Sequence, residues 1–162
     1  MDMVTAGFPA MPQYGPADLA AWRKYQWPGF PVLDVPAGID RITKVPDRGE
    51  LVGSKVAAES TFTGVMRPGV YIDAFAELMC FVLGYAGVRD HSIELDTLGS
   101  VALHEKATWP NVGNALLVYE LEVLSLNVGN PLMRAQGLVR HDRRLIFEVR
   151  GMVISGEPKT SR

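Results

Sequence analysis

One long apolar segment sets the main constraint on how this chain folds. Residues 70–88 are apolar except for two carboxylates, Asp73 and Glu77. The length and residue types predict a helix over 70–85, which ends near two glycines. Because the segment is apolar on almost every side, the helix must be buried on most faces. Two carboxylates would make membrane insertion costly, so we expect a core helix and no transmembrane span.

The rest of the regular sequence predicts antiparallel strands. Short strands precede the helix at 40–45 and 50–60, and a loop covers 62–69. After a polar link, further strands are predicted at 100–108, 116–127, 132–141 and 144–155, joined by turn-forming links that include 110–114. Strands joined by short turns are antiparallel, and a curved sheet of them is the available cover for one apolar helix. We therefore predict the α+β class and a hot-dog fold, a curved antiparallel sheet wrapped round one central helix.

The N-terminal residues differ in composition from the rest. The first 36 residues hold six of the eleven prolines and six of the fourteen aromatic residues. Dense proline excludes a long helix or an interior strand, whereas the aromatics argue against free disorder. We expect an arm over 1–38 that lies on the body and carries a short helix at 16–25. The hot-dog domain would cover 39–156 and a tail 157–162.

Composition excludes several classes of function. The 162 residues carry a formal net charge of −2, so the chain lacks the basic surface that nucleic acids or anionic membranes require. Its single cysteine, Cys80, excludes an internal disulfide framework and a multi-cysteine metal site. His91, His104 and His141 have no metal-ligand spacing, and no phosphate loop or dinucleotide fingerprint occurs. We expect a cytoplasmic protein that needs no metal or cofactor.

Several segments resemble the β-hydroxyacyl-acyl-carrier-protein dehydratases of fatty-acid synthesis. Ile39-Asp-Arg-Ile-Thr-Lys-Val45 is similar to that family's first strand, and Asp142-Arg-Arg-Leu-Ile-Phe147 to its last hairpin. The segment Phe62-Thr-Gly64, Val65-Met66-Arg67-Pro68-Gly69-Val70 and Asp73-Ala-Phe-Ala-Glu77 resembles its loop and central helix. The resemblance runs from about Ile39 to Ser155.

The resemblance implies an edge-to-edge dimer that acts on acyl groups held as thioesters on a pantetheine arm. In that family a loop histidine removes the α-proton, an acid on the helix of the other subunit helps the β-hydroxyl leave, and the first helix glycine polarises the carbonyl. Here Gly64 is followed directly by Val65 and Met66, so the loop is short and has no histidine. The resemblance thus keeps the acid, Asp73, and lacks the base.

The helix carboxylates are the main candidates for catalysis. Asp73 and Glu77 are four residues apart, on one helical face, and burial would raise the pKa of at least one of them. His104, within a predicted strand, is the best replacement base, although a structural or exposed role is the more common one for such a histidine. Gly69 offers unpaired N–H groups to a carbonyl. Arg67 and Val70 complete the candidate substrate-binding residues.

Three hypotheses follow. The first is a (3R)-hydroxyacyl-acyl-carrier-protein dehydratase-like lyase on acyl thioesters in fatty-acid or polyketide biosynthesis, whose reaction is dehydration or, because the histidine is missing, isomerisation or conjugate addition. The second is a hot-dog thioesterase in which Asp73 activates water. The third is a non-catalytic subunit of a heteromeric dehydratase, whose partner supplies the histidine. Each implies an acyl-carrier-protein or coenzyme A thioester and a homodimer or heterodimer, because a hot-dog monomer leaves a sheet edge open.

Overall fold

The described part of the chain contains one sheet and two α-helices. The computed structural model describes residues 10–24, 27, 29–63, 67–104 and 114–159, without the side chains at 62, 63, 114 and 115. The helices are α1, Pro16–Arg23, and α2, Pro68–Ala86, and a short 3-10 helix covers Arg48–Glu50. The strands are β1 Val32–Leu33, β2 Arg41–Lys44, β3 Lys55–Thr63, β4 His91–Thr97, β5 Ser100–Leu103, β6 Asn114–Asn127, β7 Leu132–His141 and β8 Arg144–Pro158.

The strands form a single curled sheet around α2. Their order is β1-β4-β8-β7-β6-β3-β2, and β5 pairs with β8 beyond the end of β4. The pairing of β1 with β4 is parallel, and the other strand pairings are antiparallel. Helix α2 packs against β7 and β8 on the inner face. The predicted α+β architecture, a curved antiparallel sheet around one central helix, is confirmed.

The central helix extends slightly beyond its predicted ends. Pro68 occupies its first turn, where the missing N–H costs nothing, and Gly87 follows its end with φ 122°. Among the described residues, Pro68–Ala86 is the one helix long and apolar enough to cross a membrane, judged by length and composition only. Most of its residues are buried within the fold, as in the core helix of a globular protein.

Alternation along the strands builds the inner face of the sheet. On β6, Tyr119 and Leu121 are fully buried, whereas Glu120 and Glu122 lie on the outer face and contact neighbouring polar side chains. A β-bulge in β8 at Gly151, where φ is +69°, curves the sheet at the point where β4 gives way to β5. These features leave the concave face apolar and shaped to the helix.

The N-terminal segment covers the face of α2 that the sheet leaves open. Tyr14 and Trp22 place their rings 4.8 and 5.5 Å from the Phe81 ring of α2, in edge-on geometry. Backbone bonds of 2.8 Å in both directions join Tyr14 to Ile42 at the margin of the sheet. Phe30 is buried against Trp22. The aromatic residues of this segment therefore belong to the same core as the helix.

The observed strands differ from the predicted ones in two main respects. The strand expected at 50–60 begins only at Lys55, because Gly53, with φ +82°, closes a turn after Leu51, which is buried in the core without belonging to a strand. The polar link after the helix contains a seven-residue strand, β4, in which Ile93 is the one buried residue. The strand predicted at 100–108 spans Ser100–Leu103; its remainder and most of the 110–114 link fall outside the described residues, as do residues 64–66 of the predicted loop.

Candidate functional site

A cavity of about 240 Å³ opens beside the N-terminal half of α2. Three elements surround it: the chain before β2, the end of β3, and the first two turns of α2. The lining residues are Pro36, Ala37, Gly38, Asp40, Ser60, Thr61, Val70 and Asp73. We refer to this space as the Asp73 cavity, because Asp73, the helix carboxylate that the sequence predicts to be catalytic, lines it.

Asp73 is the half-buried carboxylate of this cavity. Burial raises the pKa of Asp73 above its ordinary value of 3.8, since a charged carboxylate loses hydration there. No hydrogen bond or ion pair to its side chain is found within the part of the chain that the structure describes. A carboxyl group in this state is able to hold or accept a proton next to a bound molecule.

A second carboxylate, Asp40, reaches the same cavity. It immediately precedes β2, and its Oδ2 accepts a hydrogen bond of 2.6 Å from the backbone N–H of Thr61. Ser60, which is buried, lines the wall beside it. Asp40 and Ser60 were not among the predicted site residues, because only strand pairing brings them to the helix. The one signal in the sequence is the position of Asp40 at the start of a predicted strand.

Glu77 lies one turn beyond Asp73 but has a different environment. Its carboxylate is 6% exposed and accepts two bonds of 2.9 Å from Arg23 of α1, on Nε and Nη2. It also accepts 3.0 Å bonds from the backbone N–H groups of Gly38 and Ile39. These four donors satisfy the hydrogen-bonding capacity of Glu77, and Glu77 does not line the Asp73 cavity.

The Arg23–Glu77 pair fixes one wall of the cavity. Arg23 also donates to the carbonyl of Ile39, so the pair holds both sides of that peptide segment. A Cβ on Gly38 would lie 2.9 Å from Cα of Ala74, which means that glycine is needed for this close approach to α2. The segment that carries Asp40 is thereby anchored to the helix that carries Asp73.

The predicted substrate-binding residues lie at the start of α2. Val70 lines the cavity, and its N–H donates 2.9 Å to the carbonyl of Arg67. Gly69 and Arg67 are exposed and are not among the residues that line the cavity. The structure thus brings one of the three predicted binding residues, Val70, into the cavity. The other two, Arg67 and Gly69, lie shortly before Val70 in the sequence and do not line the cavity.

His104 is not brought to Asp73 within this chain. It directly follows β5, and its Nε2 lies 2.8 Å from Oε2 of Glu148 on β8, with both side chains partly exposed. Strands β8, β7 and β6 separate β5 from β3 and the cavity. At about 4.8 Å per strand, this is a separation of roughly 19 Å along the sheet.

Within the described residues, neither Cys80 nor the metal-ligating side chains form a further site. Cys80 is fully buried, and burial raises the pKa of its thiol far above the ordinary value, which makes it unreactive. In the described ranges, no group of three or more His, Cys, Asp or Glu side chains is arranged to hold a metal ion. The described site is therefore built from carboxylates and a serine.

Comparison with known proteins adds to this picture. No protein-family model matches the sequence, and no curated protein matches it. Among solved structures, the chain is similar to a hypothetical thioesterase with coenzyme A from Streptococcus pneumoniae TIGR4, with a TM-score of 0.50 and 9% identity over 69% of this chain and 85% of that one. It is also similar to smu.793 from Streptococcus mutans UA159 bound to acetyl CoA, with a TM-score of 0.50 and 8% identity over 69% and 88%. The chain has the hot-dog fold. At these identities, the likeness establishes the fold alone.

Proposed function

We propose that the protein is an enzyme that acts on acyl thioesters, with Asp73 as its catalytic residue. The observation that carries this proposal is the half-buried Asp73 carboxyl, which faces a cavity beside the central helix of a hot-dog fold. Two structures of similar fold hold coenzyme A or acetyl CoA, which supports a coenzyme A thioester as substrate. An acyl-carrier-protein thioester presents the same acyl and pantetheine chemistry and is the second candidate carrier.

Hydrolysis is the reaction that this site supports with the fewest groups. Asp73, as carboxylate, takes a proton from a water molecule as the water oxygen bonds to the thioester carbon. The tetrahedral intermediate then collapses, the carbon–sulfur bond breaks, and the proton held by Asp73 passes to the leaving thiolate. The products are a carboxylic acid and a free thiol, and the N–H of Gly69 at the exposed start of α2 is the donor that we predict for the intermediate.

Dehydration is the second candidate, and the presence of Asp40 across the cavity favours it. A β-hydroxyacyl thioester loses its α-proton to a base while the β-carbon–oxygen bond breaks and the oxygen leaves as water. The raised pKa of Asp73 suits the acid that protonates this oxygen, and Asp40 is the carboxylate available as base. The sequence resemblance to dehydratases supports this alternative, as well as a subunit role in which a partner supplies the missing histidine.

Product analysis with one matched pair of variants tests the proposal. Purified protein is incubated with acyl-CoA and β-hydroxyacyl-CoA thioesters, and free thiol and enoyl thioester are measured separately. Loss of one carboxylate that acts as acid or base reduces the rate about 10²- to 10⁴-fold, which is what we expect for Asp73→Asn. Asp96→Asn, an exposed change on β4, should leave the rate unaltered.

The products separate the candidates. Thiol release supports hydrolysis, and enoyl formation without thiol release supports dehydration. Activity that appears only with a second hot-dog chain supports the subunit role. If neither product forms with any thioester, alone or with such a partner, the proposal is wrong.

A further inference from the structure

Ser60 places a hydroxyl on the wall of the Asp73 cavity. The residue lies near the end of β3, is 6% exposed and lines the cavity. The buried residues Val56, Ala58 and Ser60 alternate along β3, so all three belong to the inner face of the sheet. The first two are apolar, and the inner face becomes polar only where β3 reaches the cavity.

The hydroxyl of Ser60 has no hydrogen-bond partner within the described part of the chain. Glu77, which is also buried, accepts bonds from four donors there. The Ser60 oxygen is not one of the fully enclosed polar atoms that lack a partner, so it is open to the cavity that the residue lines. Buried hydroxyls normally have a partner, and the Asp73 cavity is the space from which a partner is able to reach this one.

The backbone on both sides of Ser60 is held in place. Ser60 pairs with Leu117 of β6, and the N–H of the next residue, Thr61, donates 2.6 Å to Oδ2 of Asp40. The N–H of Asp40 in turn donates 2.9 Å to the carbonyl of Glu59, the residue before Ser60. A hydroxyl on a fixed backbone is pre-organised, which is what a donor to a reacting group requires.

The proposed chemistry needs a hydrogen-bond donor inside the cavity. The carbonyl oxygen of a thioester gains negative charge when water adds to its carbon and when a base removes the α-proton. Ionised Asp40 and Asp73 accept hydrogen bonds and do not donate them, and Gly69 does not line the cavity. The hydroxyls that line it belong to Ser60 and Thr61, of which Thr61 is exposed and Ser60 is buried. A donor shielded from water stabilises a developing charge more strongly.

We propose that Ser60 is a further catalytic residue, whose hydroxyl donates a hydrogen bond to the thioester carbonyl oxygen in the Asp73 cavity and stabilises the charge that develops on it. The inference rests on the proposed function. It applies to hydrolysis and to dehydration alike, because the same oxygen gains charge in both reactions. The hydroxyl keeps its proton throughout, and no covalent bond to Ser60 forms.

The test compares Ser60→Ala and Ser60→Cys with the wild type and with a matched control, Ser125→Ala, an exposed change on β6. The values of kcat and KM are measured with acyl-CoA and β-hydroxyacyl-CoA thioesters, and Tm reports on folding. Loss of one such donor lowers kcat about 10²- to 10³-fold. We expect this loss in Ser60→Ala, with KM and Tm nearly unchanged, and a smaller loss in Ser60→Cys, whose thiol is a weak donor. The control should match the wild type.

Each result decides the inference. If Ser60→Ala converts thioesters as fast as the control, the inference is overturned and the proposed function stands. A loss of kcat that is equal in Ser60→Ala and Ser60→Cys and accompanied by a lower Tm is an effect of packing and also overturns it. An acyl group found on Ser60 of the wild type by mass spectrometry would make the serine a nucleophile, contrary to the inference. If the wild type converts no thioester, alone or with a second hot-dog chain, the proposed function fails, and the inference fails with it.

Discussion

Replacing Arg23 with methionine removes the guanidinium that joins α1 to the buried carboxylate of Glu77. Glu77 would keep the backbone donors of Gly38 and Ile39 on Oε1, whereas Oε2 would lose its one partner. Breaking a buried ion pair on one side costs about 3–5 kcal/mol. Because Arg23 itself is 28% exposed, water is able to reach the orphaned oxygen, and we expect a loss of about 2–3 kcal/mol.

The assay is equilibrium unfolding in urea, supported by thermal melting. For a chain of this size, the expected loss corresponds to a decrease of about 5–10 °C in Tm. Arg41→Met is the matched control, since Arg41 is 54% exposed and lies 3.7 Å from Glu59; such a pair contributes about 0–1 kcal/mol. Arg23→Met combined with Glu77→Gln should be less destabilised than Arg23→Met alone, because the amide oxygen still accepts from Gly38 and Ile39 and no unpaired charge remains buried. Equal stability of Arg23→Met and the Arg41→Met control would refute the reasoning.

Four further predictions concern other parts of the molecule. Gly137→Ala should destabilise the fold by about 1–3 kcal/mol in urea unfolding, because its Cβ would lie 2.5 Å from Cε1 of the buried Phe75 ring; a neutral change would contradict the packing. Cys80, being fully buried, should react with thiol reagents only at the rate of unfolding, and fast labelling of the native protein would show access to the core. His104→Gln should change stability by less than about 1 kcal/mol, since the Glu148 pair is partly exposed, and turnover by less than about threefold; a larger loss of turnover would return His104 to the site. Burial raises the pKa of Asp73 in the folded state, so the folded chain binds more protons than the unfolded one and loses stability as pH rises from the ordinary Asp pKa through the raised one; Asp73→Asn should therefore be more stable than wild type at neutral pH and similar to it in acid, as measured by Tm.

The helices and strands that were predicted correctly are those marked by hydrophobic periodicity and by proline, glycine and turn residues at their ends. The central helix was placed within two residues of its ends, at 70–85 against Pro68–Ala86, because apolarity, length and the flanking proline and glycines agree. Strands β6, β7 and β8 were predicted from the alternation of apolar and polar residues and from the short turns between the strands. Strand β4 was missed, because five of its seven residues are polar and only Ile93 is buried. Its strand character comes from pairing with β8, which a local pattern does not show.

The site residues on the central helix were predictable from the sequence, whereas the residues that surround the helix were not. The spacing of Asp73 and Glu77 predicted two carboxylates on one face, which is how they lie. What separates their roles is tertiary: Arg23, 54 residues before Glu77 in the chain, satisfies one carboxylate and leaves the other to the cavity. Asp40 likewise reaches the cavity through the pairing of β2 with β3, so no spacing rule along the chain links it to Asp73.

The pH dependence of kcat/KM for acyl-CoA conversion by the wild-type protein tests the central claim most directly. If Asp73 is the base of thioester hydrolysis, the rate rises with pH as this carboxyl loses its proton, and the midpoint lies above the pKa of an ordinary aspartate, because burial raises the pKa of Asp73. If Asp73 is instead the acid of dehydration, the rate falls through the same midpoint. In both cases this change of rate with pH disappears in Asp73→Asn. If Asp73→Asn shows the same change of rate with pH, at an undiminished rate, the assignment of Asp73 as the catalytic residue is contradicted.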